Sequence, residues 1–182
     1  MAMNRVSDVQ LAKAVRSAGA LPSLSIFNYY AGPAMLNTTA FRQALIEYTT
    51  TYPDGGILIS VDSDCYSTTD FVNLMIEFNI KCVEVICGDI VDEDSDKNTG
   101  INDSAKKLKK HGILTFVKAL GIYDLDNLTE IDGVIVKGSE GAGRGDTSGK
   151  SLKELVLEVQ EKFPDMLKHS NNKRCSFKLS RF

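Results

Sequence analysis

The sequence predicts an α/β fold built on a parallel sheet, and two patterns support this prediction. Strand-like and helix-like segments alternate along the chain with a repeat of roughly 25 to 30 residues, which is typical of βαβ units. The strand-like segments are short apolar runs such as Val134-Ile135-Val136, and such runs are characteristic of buried strands. Two architectures have these properties, an open doubly wound sheet and part of a (β/α) barrel. Periodicity alone does not separate them.

Helices are predicted where apolar residues recur at helical spacing, and two of them begin at capping boxes. Ser7 can pair with Gln10 at the start of the first helix, and Ser151 can pair with Glu154 at the start of the last. A polar loop is predicted over residues 88–103. The predicted helices cover residues 7–18, 38–50, 71–78, 104–110 and 124–128, and a last one runs from residue 151.

Strands are predicted where short apolar runs are bounded by turn residues. In either architecture, ligands bind at the carboxyl ends of these strands. Tyr29 and Tyr30 follow the first strand, where they either cover a ligand or pack at the rim of the sheet. The predicted strands cover residues 21–27, 56–61, 82–86, 113–119 and 134–136.

A glycine-rich segment over residues 138–146 directly follows the last predicted strand. Glycines at this place let the backbone approach a ligand closely and leave N–H groups free for an anion. The alternative is a mobile connection without a ligand. We therefore expect this loop to be the centre of the functional site, with that alternative open.

Composition is that of an ordinary globular chain of 182 residues, with 43% hydrophobic and 25% charged residues. This length is enough for one domain with a sizeable core. The net charge of −3 gives no reason to expect nucleic acid or an anionic membrane as a partner. Neither a membrane-spanning apolar run nor a signal peptide is present, so we expect a cytoplasmic location. The cysteines lack paired spacing, and we expect no metal site.

Three segments together resemble the nitronate monooxygenase family, formerly called 2-nitropropane dioxygenase. Residues 3–8 (Met-Asn-Arg-Val-Ser-Asp), followed by a helix and residues 19–22 (Gly-Ala-Leu-Pro), resemble the family's opening. Residues 137–145 (Lys-Gly-Ser-Glu-Gly-Ala-Gly-Arg-Gly) are similar to its Gln-Gly-x-Glu-Ala-Gly-Gly-His-x-Gly motif, and residues 56–58 to its third-strand segment. The family includes flavin-dependent enoyl-acyl-carrier-protein reductases. The wording of the opening is most similar to members associated with polyketide and polyunsaturated fatty acid synthases.

The resemblance implies a (β/α)8 barrel that binds FMN without covalent attachment. Leu58 stands where many members carry a flavin-contacting asparagine, and Lys137 replaces a glutamine that touches the flavin. Residues of the opening would line the flavin ring, and small residues of the glycine-rich loop would let the backbone close on the cofactor. The positions that would contact FMN are Ala2, Met3, Asn4, Leu58, Lys137, Gly138, Ala142 and Gly143.

Two further residues are candidates near this cofactor. Arg144 occupies the position of a catalytic histidine, but a guanidinium stays charged and cannot act as a general base. It either holds an anionic group of the substrate or is a solvated loop residue. Lys118, near the carboxyl end of its strand, either stabilises the reduced flavin or reaches solvent.

The chain departs from the family at its end. About six of the eight βα units of such a barrel can be counted, so residues 1–166 are predicted to form a partial FMN-binding barrel domain. Residues 167–182 form an aberrant basic tail, with no acidic residue after Asp165. The sequence change favours a truncated or frameshifted reading frame over a functional basic tail. Because an incomplete barrel leaves strand edges unpaired, we expect self-association or a partner that completes it.

The first functional hypothesis is an FMN-dependent oxidoreductase acting on a small molecule, either a nitronate or an enoyl thioester. The alternative is a catalytically inactive truncated barrel, or an accessory module, that retains at most ligand binding. An open doubly wound nucleotide-binding fold is disfavoured, because no Gly-x-Gly-x-x-Gly motif follows the first strand.

Overall fold

The computed structural model describes residues 6–32, 35–87, 97–119, 125–139 and 149–162. Five strands in these ranges form one parallel sheet: β1 (Ser23–Ser25), β4 (Leu58–Asp62), β5 (Cys82–Ile86), β6 (Leu114–Ala119) and β7 (Gly133–Val136). A short antiparallel pair, β2 (Tyr30–Gly32) and β3 (Met35–Leu36), follows β1. The helices are α1 (Val9–Ser17), α2 (Thr38–Thr51), α3 (Ser63–Tyr66), α4 (Thr69–Glu77), α5 (Lys97–Lys109) and α6 (Leu152–Lys162).

The order of the strands separates the two architectures that the sequence leaves open. In the parallel sheet every strand pairs with the next one along the chain, in the order β1-β4-β5-β6-β7. A doubly wound sheet reverses direction at a switch point, and this order does not reverse. Right-handed crossovers that always advance in one direction place all helices on one face, as in a (β/α) barrel. The fold is therefore α/β of the barrel type and incomplete. The five strands, preceded by helix α1, agree with the predicted partial barrel.

Side-chain caps explain where the helices begin, and they correct one of the two predicted capping boxes. The Ser151–Glu154 box is formed: the Ser151 N–H donates to Glu154 Oε2 at 2.8 Å, and the Glu154 N–H donates to Ser151 Oγ at 3.3 Å. The Ser7–Gln10 box is wrong, because Asp8 is the cap of α1 and accepts from the Leu11 N–H at 2.8 Å. Ser7 is buried instead, and its carbonyl accepts from the Ser25 N–H at 3.2 Å.

Helix α5 begins seven residues earlier than predicted, since it runs over Lys97–Lys109 and not over 104–110. Its buried residues are Ile101, Ser104, Ala105 and Leu108, which recur at helical spacing. The Gly, Asn and Asp residues around Ile101 favour a loop locally. Burial of this stripe against the sheet outweighs that local preference.

A buried polar contact joins a helix to the helix-covered face of the sheet. Tyr66 of α3 and Thr115 of β6 are both fully buried, and their hydroxyl oxygens lie 2.8 Å apart. Burial raises the pKa of Tyr66 above its usual range, so this phenol stays protonated. The hydrogen bond joins two elements that are 49 residues apart in the chain.

Removing one partner of this contact is expected to cost more than removing both. The Tyr66→Phe variant leaves the Thr115 hydroxyl buried without its partner, which should lower the free energy of unfolding by about 1–3 kcal/mol. Adding Thr115→Val removes the orphaned hydroxyl and should recover part of that loss. Urea unfolding of the two single variants and the double variant measures the coupling. Strict additivity of the two losses would contradict this account of the contact.

Candidate functional site

The two faces of the sheet differ in chemistry. One face is apolar and covered by helices; its fully buried members include Ile59, Val61, Val83, Val85 and Val117. Thr115, bound by Tyr66 of α3, lies on this same face. Side chains alternate across a strand, so the residues between these positions project to the opposite side. We call that opposite side the inner face.

The strand register arranges the side chains of the inner face in rows. Two of these rows contain polar and charged side chains, together with some apolar ones. The middle row consists of Ser25, Ser60, Glu84, Phe116 and Gly133. The upper row, next to the carboxyl ends of the strands, consists of Asp62, Ile86, Lys118 and Ile135. Ser60, Glu84 and Lys118 are all at most 5% exposed. Folds of this class bind ligands at the carboxyl ends of their parallel strands, next to the upper row.

Asp62 closes one end of the upper row and is held from two sides. Its Oδ1 accepts a hydrogen bond from the Cys65 N–H at 2.8 Å and caps α3. Its Oδ2 accepts a hydrogen bond from the Tyr30 hydroxyl. Burial raises the pKa of Asp62, and the hydrogen bond from the Cys65 backbone partly offsets this. Burial also raises the pKa of the Cys65 thiol to about 12, so this cysteine is not a candidate nucleophile.

The two tyrosines after β1 have different positions. Tyr30 contacts Asp62 and packs edge-to-face on Phe27, with ring centroids 5.4 Å apart. Tyr29 is half-buried against Phe41, with centroids 5.3 Å apart, and burial raises its pKa to about 12. The sequence left two alternatives for these tyrosines, covering a ligand or packing at the rim of the sheet. Their contacts correspond to packing at the rim. Tyr30 also fixes the position of a carboxylate in the upper row.

Three predicted site residues lie together at the carboxyl end. Lys118 is the next-to-last residue of β6 and pairs with Ile135 of β7, while Lys137 and Gly138 directly follow that strand. Lys118 is only 5% exposed, so the alternative of a lysine reaching solvent is wrong. Gly138 is buried, and the Nζ atom of Lys137 is buried without a hydrogen-bond partner among the described residues. Two ammonium groups are thus withdrawn from water near one loop.

Leu58 does not join this group. It is the first residue of β4, at the amino end of the sheet, whereas the site lies beyond Asp62 at the carboxyl end. Four residues of extended strand separate the two ends by about 13 Å. The resemblance to the family motif correctly placed Leu58 in a strand, but it did not show that Leu58 lies at the amino end of that strand. The remaining predicted positions, Ala2, Met3, Asn4, Ala142, Gly143 and Arg144, lie outside the described residues.

Glu84 is the site residue that sequence reasoning missed. It stands in the middle of β5, is 2% exposed, and its Oε2 atom has no hydrogen-bond partner within the described part of the chain. Burial of an unpartnered carboxylate oxygen is unfavourable and is uncommon in folded proteins. The sequence did contain a signal, since a glutamate interrupts the apolar run Cys-Val-Glu-Val-Ile over residues 82–86.

These residues fit an aromatic cofactor that carries both polar edges and negative charge. Buried ammonium groups of Lys118 and Lys137 can neutralise anionic or electron-rich groups, and the orphaned Glu84 oxygen can accept a hydrogen bond. Partly exposed apolar side chains of Ile86 and Phe116 stand beside them on the inner face. Apolar walls with a few converging polar groups are the usual composition of a small-molecule site.

Comparison with solved structures places the fold. FabK from Thermotoga maritima has a TM-score of 0.61 and 20% sequence identity over 87% of this chain, which corresponds to 45% of that protein. Its M276A mutant gives a TM-score of 0.63 and 19% identity, covering 88% of this chain and 49% of that one. The chain therefore spans about half the length of these structures, and at this identity the likeness concerns the fold.

Sequence comparisons add no family assignment: no family model and no curated protein matches the chain. In the described ranges, every helix is too short or too polar to cross a membrane.

Proposed function

We propose that the protein is an FMN-dependent oxidoreductase whose flavin binds at the carboxyl end of the sheet, on the inner face. The observation that carries this proposal is the burial of Lys118 and of the Nζ atom of Lys137, beside Gly138 at the end of a barrel-type sheet. The fold shared with FabK, a flavin-dependent enoyl-acyl-carrier-protein reductase, supports it independently of the sequence motifs.

Each residue has a distinct role in this proposal. When bound, FMN would supply the electron transfer between a nicotinamide or nitronate donor and oxygen or an enoyl thioester. Lys118 and Lys137 would hold negative charge on the cofactor, because their ammonium groups already lie out of water. Gly138 would allow close approach of the backbone, and Arg144 would hold an anionic group of the substrate.

The position of the proposed flavin at the carboxyl end of the sheet disfavours a basic group on α5 as the docking site for an acyl carrier. Lys106, Lys107, Lys109 and Lys110 form an exposed basic group at the carboxyl end of α5. Helices of βα units run antiparallel to the strands, so this group lies near the amino ends of the strands, away from the inner-face site. A carrier docked there would sit at the end of the sheet opposite the proposed flavin.

An inactive module is the second candidate, and the arginine at position 144 favours it. A guanidinium cannot take a proton from a substrate carbon, which is the role of the histidine whose position Arg144 occupies in the family resemblance. Among the described residues, the outer edges of β1 and β7 carry no neighbouring strand, and a partner or a second copy would pair there.

Turnover measurements separate the two candidates. Protein reconstituted with excess FMN is assayed for oxidation of a reduced nicotinamide with an enoyl thioester as acceptor, and for oxygen uptake with a nitronate. The oxidoreductase proposal expects one of these rates to exceed that of free FMN and to scale with protein concentration. Protein that holds FMN but shows neither rate would be a binding module.

A further inference from the structure

The middle row of the inner face contains a carboxyl group that lacks a hydrogen-bond partner for one of its oxygens among the described residues. Glu84 lies between Ser60 of β4 and Phe116 of β6, and these three strands pair in register at that row. The carboxylate is 2% exposed, and Oε2 has no hydrogen-bond partner in the described residues. Neither the flavin roles given above nor the helix packing uses this group.

An aromatic side chain and a glycine lie in the same row as Glu84. Gly133, two strands away in the same row, has no side chain, and a Cβ built there would meet Phe116 Cδ1 at 3.0 Å. The Phe116 ring therefore stands over Gly133 and remains partly exposed on the inner face. An aromatic ring thus lies directly beside the carboxylate, one row below Lys118.

An unpartnered buried carboxylate lowers stability unless something else satisfies it. A buried polar atom without a partner calls for an explanation, and a functional role in which a ligand supplies that partner is one. An acceptor-only carboxylate requires a donor, and flavin rings carry an N–H group on their pyrimidine edge.

We propose that Glu84 is a ligand-contacting residue, whose Oε2 atom accepts a hydrogen bond from a ring N–H of the bound flavin beside Phe116. This inference rests on the proposed function, since it names a contact within the same site. It assigns Glu84 a ligand contact that stabilises the complex and leaves the ligand-free protein less stable than it would be with an apolar residue.

The test uses the full chain and two measurements. Substituting a purely structural glutamate would change these two measurements differently from substituting one that contacts the ligand. Glu84→Met removes the carboxylate at similar volume, and Glu84→Gln keeps an acceptor without the charge. Glu161→Met, on the exposed face of α6, is the matched control. The melting temperature without ligand and the Kd for FMN, from quenching of flavin fluorescence, are measured for all four proteins.

We expect Glu84→Met to raise the melting temperature of the ligand-free protein and to weaken FMN binding about 10- to 100-fold. Glu84→Gln should shift both quantities in the same directions by smaller amounts, and Glu161→Met should shift neither. A lower melting temperature for both Glu84 variants would overturn the inference, because it would reveal a structural partner such as Lys118. Unchanged FMN affinity in both variants would also overturn it while leaving the flavin site intact. Absence of FMN binding by the wild-type protein would remove the proposed function itself.

Discussion

Replacing Gly55 by alanine is expected to be among the most destabilising single substitutions in this chain. Gly55 has φ +65°, and a Cβ at this position would meet the backbone oxygen of Asn79 at 2.0 Å and its carbonyl carbon at 2.7 Å. Its own carbonyl accepts from the Lys81 N–H at 3.1 Å. The residue therefore joins the turn before β4 to the turn before β5. Alanine would have to move one of these turns, in addition to adopting a left-handed conformation.

We expect Gly55→Ala to lower the free energy of unfolding by roughly 2–5 kcal/mol, from left-handed strain and overpacking together. Gly19→Ala is the matched control, because Gly19 has φ +82° with nothing within 4 Å of its Cβ position. It should lose only the strain, about 1–2 kcal/mol. Urea unfolding of both variants measures the difference. Equal losses would show that the contact with Asn79 is not as close as described.

Lys118→Met is expected to weaken ligand binding strongly. The lysine is 5% exposed and pairs in register with Ile135, just below Lys137 and Gly138. If its ammonium holds negative charge on the flavin, a neutral side chain of similar length should weaken FMN binding about 10- to 100-fold. Because Lys118 also interacts within the protein, its melting temperature is measured alongside the affinity.

The control for this variant is Lys106→Met, which removes an exposed lysine of α5 near the opposite end of the sheet. This change alters the net charge by the same amount and should leave the Kd for FMN unchanged. A comparable loss of affinity in both variants would mean that the lysines act only through overall charge. Normal binding by folded Lys118→Met would exclude Lys118 from the flavin site.

Much of the architecture follows from local patterns in the sequence. Apolar runs such as residues 82–86 and the cap at Ser151 correctly indicated a parallel α/β fold and the order of its five strands. The short elements β2, β3 and α3 were not predicted, and residues 125–128, where a helix was expected, contain no α-helix. The direction in which the strands advance is a long-range property, and only the pairing of β1 with β4, and so on through β7, distinguishes a barrel from a doubly wound sheet. Helix α5 shows the same limit, because burial of Ile101 outweighs unfavourable neighbours.

The site was only partly predictable, for a related reason. A strand-end lysine such as Lys118 can be placed at the carboxyl end from the strand boundary alone, but its burial depends on neighbouring strands. The position of Leu58 could not be predicted without knowing that β4 begins at this residue. Glu84 was visible as a glutamate in an apolar run, but whether it faces helices or the inner face depends on register with β4 and β6.

The most direct test of the flavin site is an equilibrium titration of the size-fractionated wild-type protein with FMN, followed by flavin fluorescence. We expect saturable quenching with one FMN per chain and a Kd in the micromolar range, roughly −8 kcal/mol of binding free energy. Riboflavin, which lacks the phosphate, should bind more weakly if a lysine holds that group. A folded protein whose addition leaves FMN fluorescence unchanged at all concentrations would contradict the account. The inner face would then be a buried polar interior without a flavin.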